Sequence, residues 1–216
     1  MATDTSLFLI GDSNIIAIAR AARDQSRVFR GGPVGIGLDL ERPFFTVENG
    51  DFVLLGTHLD SIRDEFRDLL RHSGPILSTV GFNSHRFAQR LHNFIKLKGG
   101  SSWQDLMSQQ VFHQTVLDAR REALSFYELL QEHNREVYFL HSPMRGPTEY
   151  LSAQRSFEAA FISRINETGA TLVDIREHVM GPHGLLAEFA REKDTWHSNK
   201  RFGTLALDQM DALRSA

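Results

Sequence analysis

Leu7-Phe8-Leu9-Ile10-Gly11-Asp12-Ser13-Asn14 is the stretch from which the rest of the chain is read. The apolar run from Leu7 to Ile10 has the length of a buried strand, and the Gly-Asp-Ser turn that ends it presents a serine at the strand's carboxyl end. On its own such a triplet is an ordinary turn or helix cap, because Asp and Ser oxygens satisfy free backbone N–H groups. Two distant blocks change its weight: Gly81-Phe82-Asn83 in the middle of the chain and Asp194-Thr195-Trp196-His197 near the far end.

The 216 residues, 41% hydrophobic and 24% charged, suffice for one α/β domain with a sizeable core, and residues 1–216 are read as that single domain. A net charge of −3 offers no global attraction to nucleic acid or an anionic membrane. The absence of cysteine excludes disulfides, thiolate metal sites and a cysteine nucleophile. Met1 to Ser6 carry no basic region before the short apolar run, which fits a cytoplasmic chain, although a leader already removed would leave no trace. No apolar stretch approaches the roughly 20 residues of a membrane-spanning helix.

After Ser13, residues 14–23 have helical spacing, so the start reads as strand, turn and helix. Val28-Phe29 is a second strand candidate, running into a loop with Gly31, Gly32, Gly35 and Gly37, whose G-x-x-G-x-G spacing is not a dinucleotide fingerprint. Phe44–Val47 and Phe52–Leu55 flank Asn49-Gly50 as a hairpin, the second run being alternatively a central strand. His58–Arg71 reads as one amphipathic helix, Pro75–Val80 as a buried strand leading to Asn83, and Arg86–Lys96 as a helix. Trp103–Met107 reads as a flap, and Val111–Glu132 as the longest helix. Glu136–His141 and Thr171–Asp174 are strands around a helix over Leu151–Asn166, and a last helix covers Thr204–Leu213. Strand–helix alternation of this kind predicts a parallel sheet with helices on both faces.

In such a sheet ligands bind beyond the carboxyl ends of the strands, where Ser13 and Asn83 both fall. A serine hydroxyl becomes a nucleophile when a base accepts its proton and a third group holds that base in one tautomer. His197 and Asp194 are candidates for those roles, their i, i+3 spacing placing them together on one helical turn or loop. His58 with Asp60, or His178 with His183, form no recognisable metal-ligand cluster, and no metal or cofactor is expected. An α/β-hydrolase elbow would need a second glycine after Ser13, which Ile15 denies it.

In this order the blocks around Ser13, Asn83 and Asp194/His197 resemble the SGNH (GDSL-type) hydrolase family. The resemblance implies a flavodoxin-like three-layer α/β/α sandwich of about five parallel strands, with Ser13, His197 and Asp194 as the triad. It also implies an oxyanion hole built from the Ser13 and Gly32 backbone N–H groups and the Asn83 side chain, with Gly31, Gly35 and Gly37 as alternative glycines. Asn14 stands where the family's leucine is, a position that varies. Ser84 follows Asn83 where many members carry aspartate, which removes that carboxylate. The implied activity is hydrolysis of a small O-acyl ester, acetyl foremost, on a carbohydrate or similar alcohol. Acyl transfer by the same site and a non-catalytic binding module are the alternatives. Trp103, Arg145, Tyr150 and Trp196 are candidates for holding a sugar.

Overall fold

A computed structural model describes residues 6–36, 39–56, 60, 62–134, 136–141 and 147–216, without the side chains of Thr195 and Trp196. In chain order the first part comprises β1 (Leu7–Gly11), α1 (Ile15–Asp24), β2 (Phe29–Pro33), β3 (Phe45–Glu48), β4 (Asp51–Leu54) and the single turn α2 (Arg63–Phe66). The middle holds β5 (Ile76–Ser78), α3 (Ser84–Leu97), α4 (Gln109–Ala119), α5 (Arg121–His133), β6 (Val137–Leu140) and α6 (Leu151–Glu167). The last part runs through β7 (Thr171–Val173), α7 (Arg176–Val179), β8 (Met180–Gly181), β9 (Gly184–Leu185), β10 (Ala190–Arg191) and β11 (Asp194–Ser198) to α8 (Lys200–Ser215).

β2, β1, β5, β6 and β7 form, in that order, a five-stranded sheet in which every pairing is parallel. Successive strand residues face opposite sides, so the continuous apolar run of β1 feeds two cores. Phe8 and Ile10 pack with α3, α4, α5 and α6, whereas Leu7 and Leu9 pack with α1 and α8. This is the three-layer α/β/α sandwich expected. The chain builds outward from β1 to β2 and then returns to place β5 on the other side of β1. The reversal opens a crevice beyond the carboxyl ends of β1 and β5. Gly11 lets these two ends close up: a Cβ there would lie 2.0 Å from the Thr79 hydroxyl.

Several sequence expectations are corrected. The Asn49-Gly50 hairpin joins β3 and β4 as an antiparallel pair outside the main sheet, so Phe52–Leu55 is no central strand. Within His58–Arg71 the described residues form α2 and a separate 3-10 turn at Leu69–Arg71 rather than one helix. The Val111–Glu132 stripe is two helices broken at Arg120, whose φ of −124° and ψ of 18° leave the helical region. Trp103 is no flap residue: it is buried and stacks on Phe112 with ring centroids 4.1 Å apart. Among the described residues no helix is long and apolar enough to cross a membrane.

Candidate active site

Ser13 lies in the turn between β1 and α1. The carbonyls of Asp12 and Ser13 already accept from Ile15 and Ile16 N–H, so its own backbone N–H belongs to the amide-rich first turn of α1. Asp12 is buried under this turn and accepts from Asn14 N–H and the Thr79 hydroxyl. Burial pushes its carboxyl up from the ordinary aspartate range, against the pull of those hydrogen bonds and of His197. Through Asp12 and Thr79 the loops after β1 and β5 are tied together.

The base and its orienting carboxylate come from β11. They lie on a distorted strand, not the helical turn or loop expected. Ala190 pairs with Ser198 but Arg191 pairs with Asp194, so the intervening residues of β11 have no partners in register. This irregularity removes the strict alternation that would turn residues i and i+3 to opposite faces. His197 Nδ1 lies 2.5 Å from Asp194 Oδ2, and His197 Nε2 lies 2.8 Å from Ser13 Oγ. An ionised carboxylate can only accept, so Nδ1 carries the ring proton and the Ser13 hydroxyl donates to Nε2. The Arg191 guanidinium stands 3.7 Å from Asp194 Oδ2 and favours its charge. Asp194 and His197 side chains remain 37% and 32% exposed, so the pair faces solvent that can supply water and substrate. Asn14, left without a role by the resemblance, is buried, and its side-chain oxygen accepts from Ser198 N–H and Oγ–H at 3.5 and 3.4 Å. It thereby links the residue after Ser13 to the residue after His197.

Asn83 ends the loop after β5 and is buried. Its Oδ1 accepts from Arg120 Nη2 at 3.2 Å, whereas its Nδ2 is buried with no hydrogen-bond partner among the described residues. A buried amide donor left unsatisfied costs about 1–3 kcal/mol. Ser84, beside it, donates to the Glu158 carboxylate of α6 at 2.8 Å. Glu158 also accepts from Gln154 and lies 3.1 Å from His141 Nε2. Burial alone would raise its carboxyl, but His141 and the hydrogen bonds from Gln154 and Ser84 hold it below the ordinary value.

The glycine expectation changes. Gly31 and Gly32 are strand residues of β2, paired with Leu9 and Ile10, not members of a loop. The ladder ends on Leu7 N–H to Val28 O and Val34 N–H to Gly11 O, and parallel alternation between them commits Gly32 N–H to the Leu9 carbonyl. The same alternation turns Gly31 N–H to the open edge. Gly35 is the first glycine past the ladder, in a turn where the Asp39 carboxylate accepts from Ile36 N–H at 3.0 Å. Gly37, His58, Arg145 and the Trp196 side chain lie outside the described residues. Tyr150 packs edge-on against His92 at 5.0 Å.

Sequence reasoning missed Arg120, Glu158 and His141. Arg120 had a signal: with Val116, Ala123 and Tyr127 it shares the i, i+4, i+7, i+11 apolar stripe, where a charge is out of place.

No protein-family model matches the chain, and no curated protein matches it in sequence. Solved structures do. A candidate SGNH hydrolase from Slackia heliotrinireducens is 11% identical, with a TM-score of 0.49 over 96% of this chain and 97% of that one. A candidate GDSL-like lipase from Parabacteroides merdae is 9% identical, with a TM-score of 0.50 over 99% of this chain and 96% of that one. At such identity the second likeness bears on the fold, and agrees with the sandwich described above.

Proposed function

We propose that this chain is an SGNH-type serine hydrolase that cleaves a small O-acyl ester through an acyl-enzyme on Ser13. The observation that carries the reading is the relay from Ser13 Oγ through His197 to Asp194, with contacts of 2.8 and 2.5 Å. Ser13 Oγ attacks the ester carbonyl as its proton passes to His197 Nε2, and Asp194 stabilises the imidazolium that forms. Negative charge then develops on the former carbonyl oxygen. Asn83 Nδ2, the Ser13 N–H and the Gly35 N–H are the donors we assign to it, Gly35 replacing Gly32 because the latter's N–H serves the sheet. Collapse breaks the ester C–O bond and the alcohol leaves with the proton from His197. Water, deprotonated by His197, attacks the acyl carbon and releases the acid and Ser13.

A cavity of about 170 Å³ lies beside the loop after β2, lined by Val34, Asp39, Arg42, Pro43, Phe44, Leu55 and Gly56. The test is turnover of alkyl acetates, longer acyl esters and O-acetylated sugars by wild type and Ser13→Ala. The reading requires acetate release that Ser13→Ala abolishes, falling as the acyl chain lengthens. Equal turnover by the variant would refute it.

A further inference from the structure

Arg120 is only 3% exposed, yet it carries a charge into the core between α4 and α5. Taking a guanidinium out of water is expensive, and an apolar side chain of similar volume would fill the space without that cost. What Arg120 does with its donors is specific. Nε donates to Gly81 O at 2.8 Å, Nη2 to Asn83 O at 3.0 Å and to Asn83 Oδ1 at 3.2 Å, and Nη1 to Ala119 O at 2.9 Å. Nη1 also meets Glu41 Oε1 at 3.4 Å, and the guanidinium lies over the Phe157 ring at 4.7 Å. Burial draws it down to about 10, which leaves it charged at neutral pH.

We propose that Arg120 is the positioning residue of the oxyanion hole. This rests on the reading above, in which Asn83 is a donor to the developing charge. A guanidinium has five donors and no acceptor, so an amide beside it must present its oxygen. Flipping Asn83 would set donor against donor and strand the carbonyl oxygen elsewhere. Arg120 thus fixes the direction of Nδ2, the atom with no hydrogen-bond partner among the described residues. Through Glu41 the same guanidinium reaches the turn at Asp39–Glu41, whose Asp39 holds the loop containing Gly35 and Ile36. Two of the three loops that carry the assigned donors, those after β5 and β2, therefore hang on one side chain. The break between α4 and α5 falls at Arg120 itself.

The experiment compares Arg120→Lys, Asn83→Ala and the double variant with wild type by ester kinetics. The Asn83 side-chain amide signal, identified by its loss in Asn83→Ala, is followed by ¹⁵N NMR. Lysine keeps the charge but not the fork. Arg120→Lys is expected to lower kcat on the order of 10–100-fold with KM within about threefold, and to shift the Asn83 amide signal. In the Asn83→Ala background the same change should cost less than about threefold more, because two residues acting as one unit are not additive. Losses that multiply, a wild-type kcat in Arg120→Lys, or an unmoved amide signal would overturn the proposal. Should Arg120→Lys not fold, Glu41→Gln takes its place with the same readouts, a loss of roughly 3–10-fold in kcat being expected and an unchanged kcat contradicting it. Without esterase turnover in wild type the hydrolase reading fails separately, and the amide signal still decides whether Arg120 orients Asn83.

Discussion

Nδ2 of Asn83 is a buried donor with nothing to donate to among the described residues, while its Oδ1 is held by Arg120. A donor that gains its partner only as the tetrahedral intermediate forms acts on the transition state more than on bound substrate. Asn83→Ala should lower kcat by on the order of 10²–10³, or ~3–4 kcal/mol, with a smaller change in KM and a melting temperature near that of wild type. Near-wild-type kcat in a folded variant would remove Asn83 from the site. Asp194→Asn belongs to the same scale: an amide can present N–H to Nδ1, which puts the ring proton on Nε2 and blocks acceptance from Ser13. The expected loss in kcat is about 10⁴-fold, and a loss under tenfold would count against the orienting role. The candidates Ser13, Asn83, Asp194 and His197 could be picked out of the sequence because each sits in a short local block. Glu158 could not be, and Arg120 showed only as a charge on an apolar stripe, since their partners lie 74 and 37 residues away, a proximity that only folding creates.

The elements that bring nucleophile and base together are α1, which starts just after Ser13, and α8, which starts just after His197. Their close packing depends on Gly203, where an added Cβ would fall 2.3 Å from the Ala17 carbonyl oxygen. Gly203→Ala must push the helices apart and lengthen the 2.8 Å contact between Ser13 and His197. Overpacking of this kind costs about 1–3 kcal/mol, and a misplacement of about 1 Å can cost 10²-fold in rate. We expect the variant to melt lower and to react with a serine-directed probe on the order of 10²-fold more slowly. An unchanged labelling rate would mean that the α1–α8 spacing does not set the relay. Strands and most helices were readable from apolar period. Two failures share a cause: the 58–71 and 111–132 stripes keep helical spacing across a break because both flanking segments face the same core. The α4–α5 break falls at Arg120, whose partners Gly81, Asn83 and Glu41 are distant in sequence.

Across the molecule, strand–helix alternation was enough to read the sandwich, while the position of β3–β4 outside the sheet and the irregular register of β11 were set by pairings far apart in sequence. Stability should carry its own signature of the buried Glu158 network joining α6, the start of α3 and the residue after β6. The folded carboxyl is held below its ordinary value of 4.5, so its contribution is complete above 4.5 and is lost as pH falls through the depressed folded value. Breaking a buried pair costs about 3–5 kcal/mol, so Glu158→Gln should melt roughly 6–20 °C below wild type at pH 7, with the gap narrowing below pH ~4.5. A gap independent of pH would mean that the charge of Glu158 contributes nothing. The central claim, that His197 turns Ser13 into the nucleophile, is tested most directly by intact-mass spectrometry with peptide mapping after exposure to a fluorophosphonate. Wild type should gain one adduct, mapped to Ser13, absent in Ser13→Ala and at least about 10²-fold slower in His197→Ala. No adduct on Ser13, or one that forms equally fast without His197, would contradict the account.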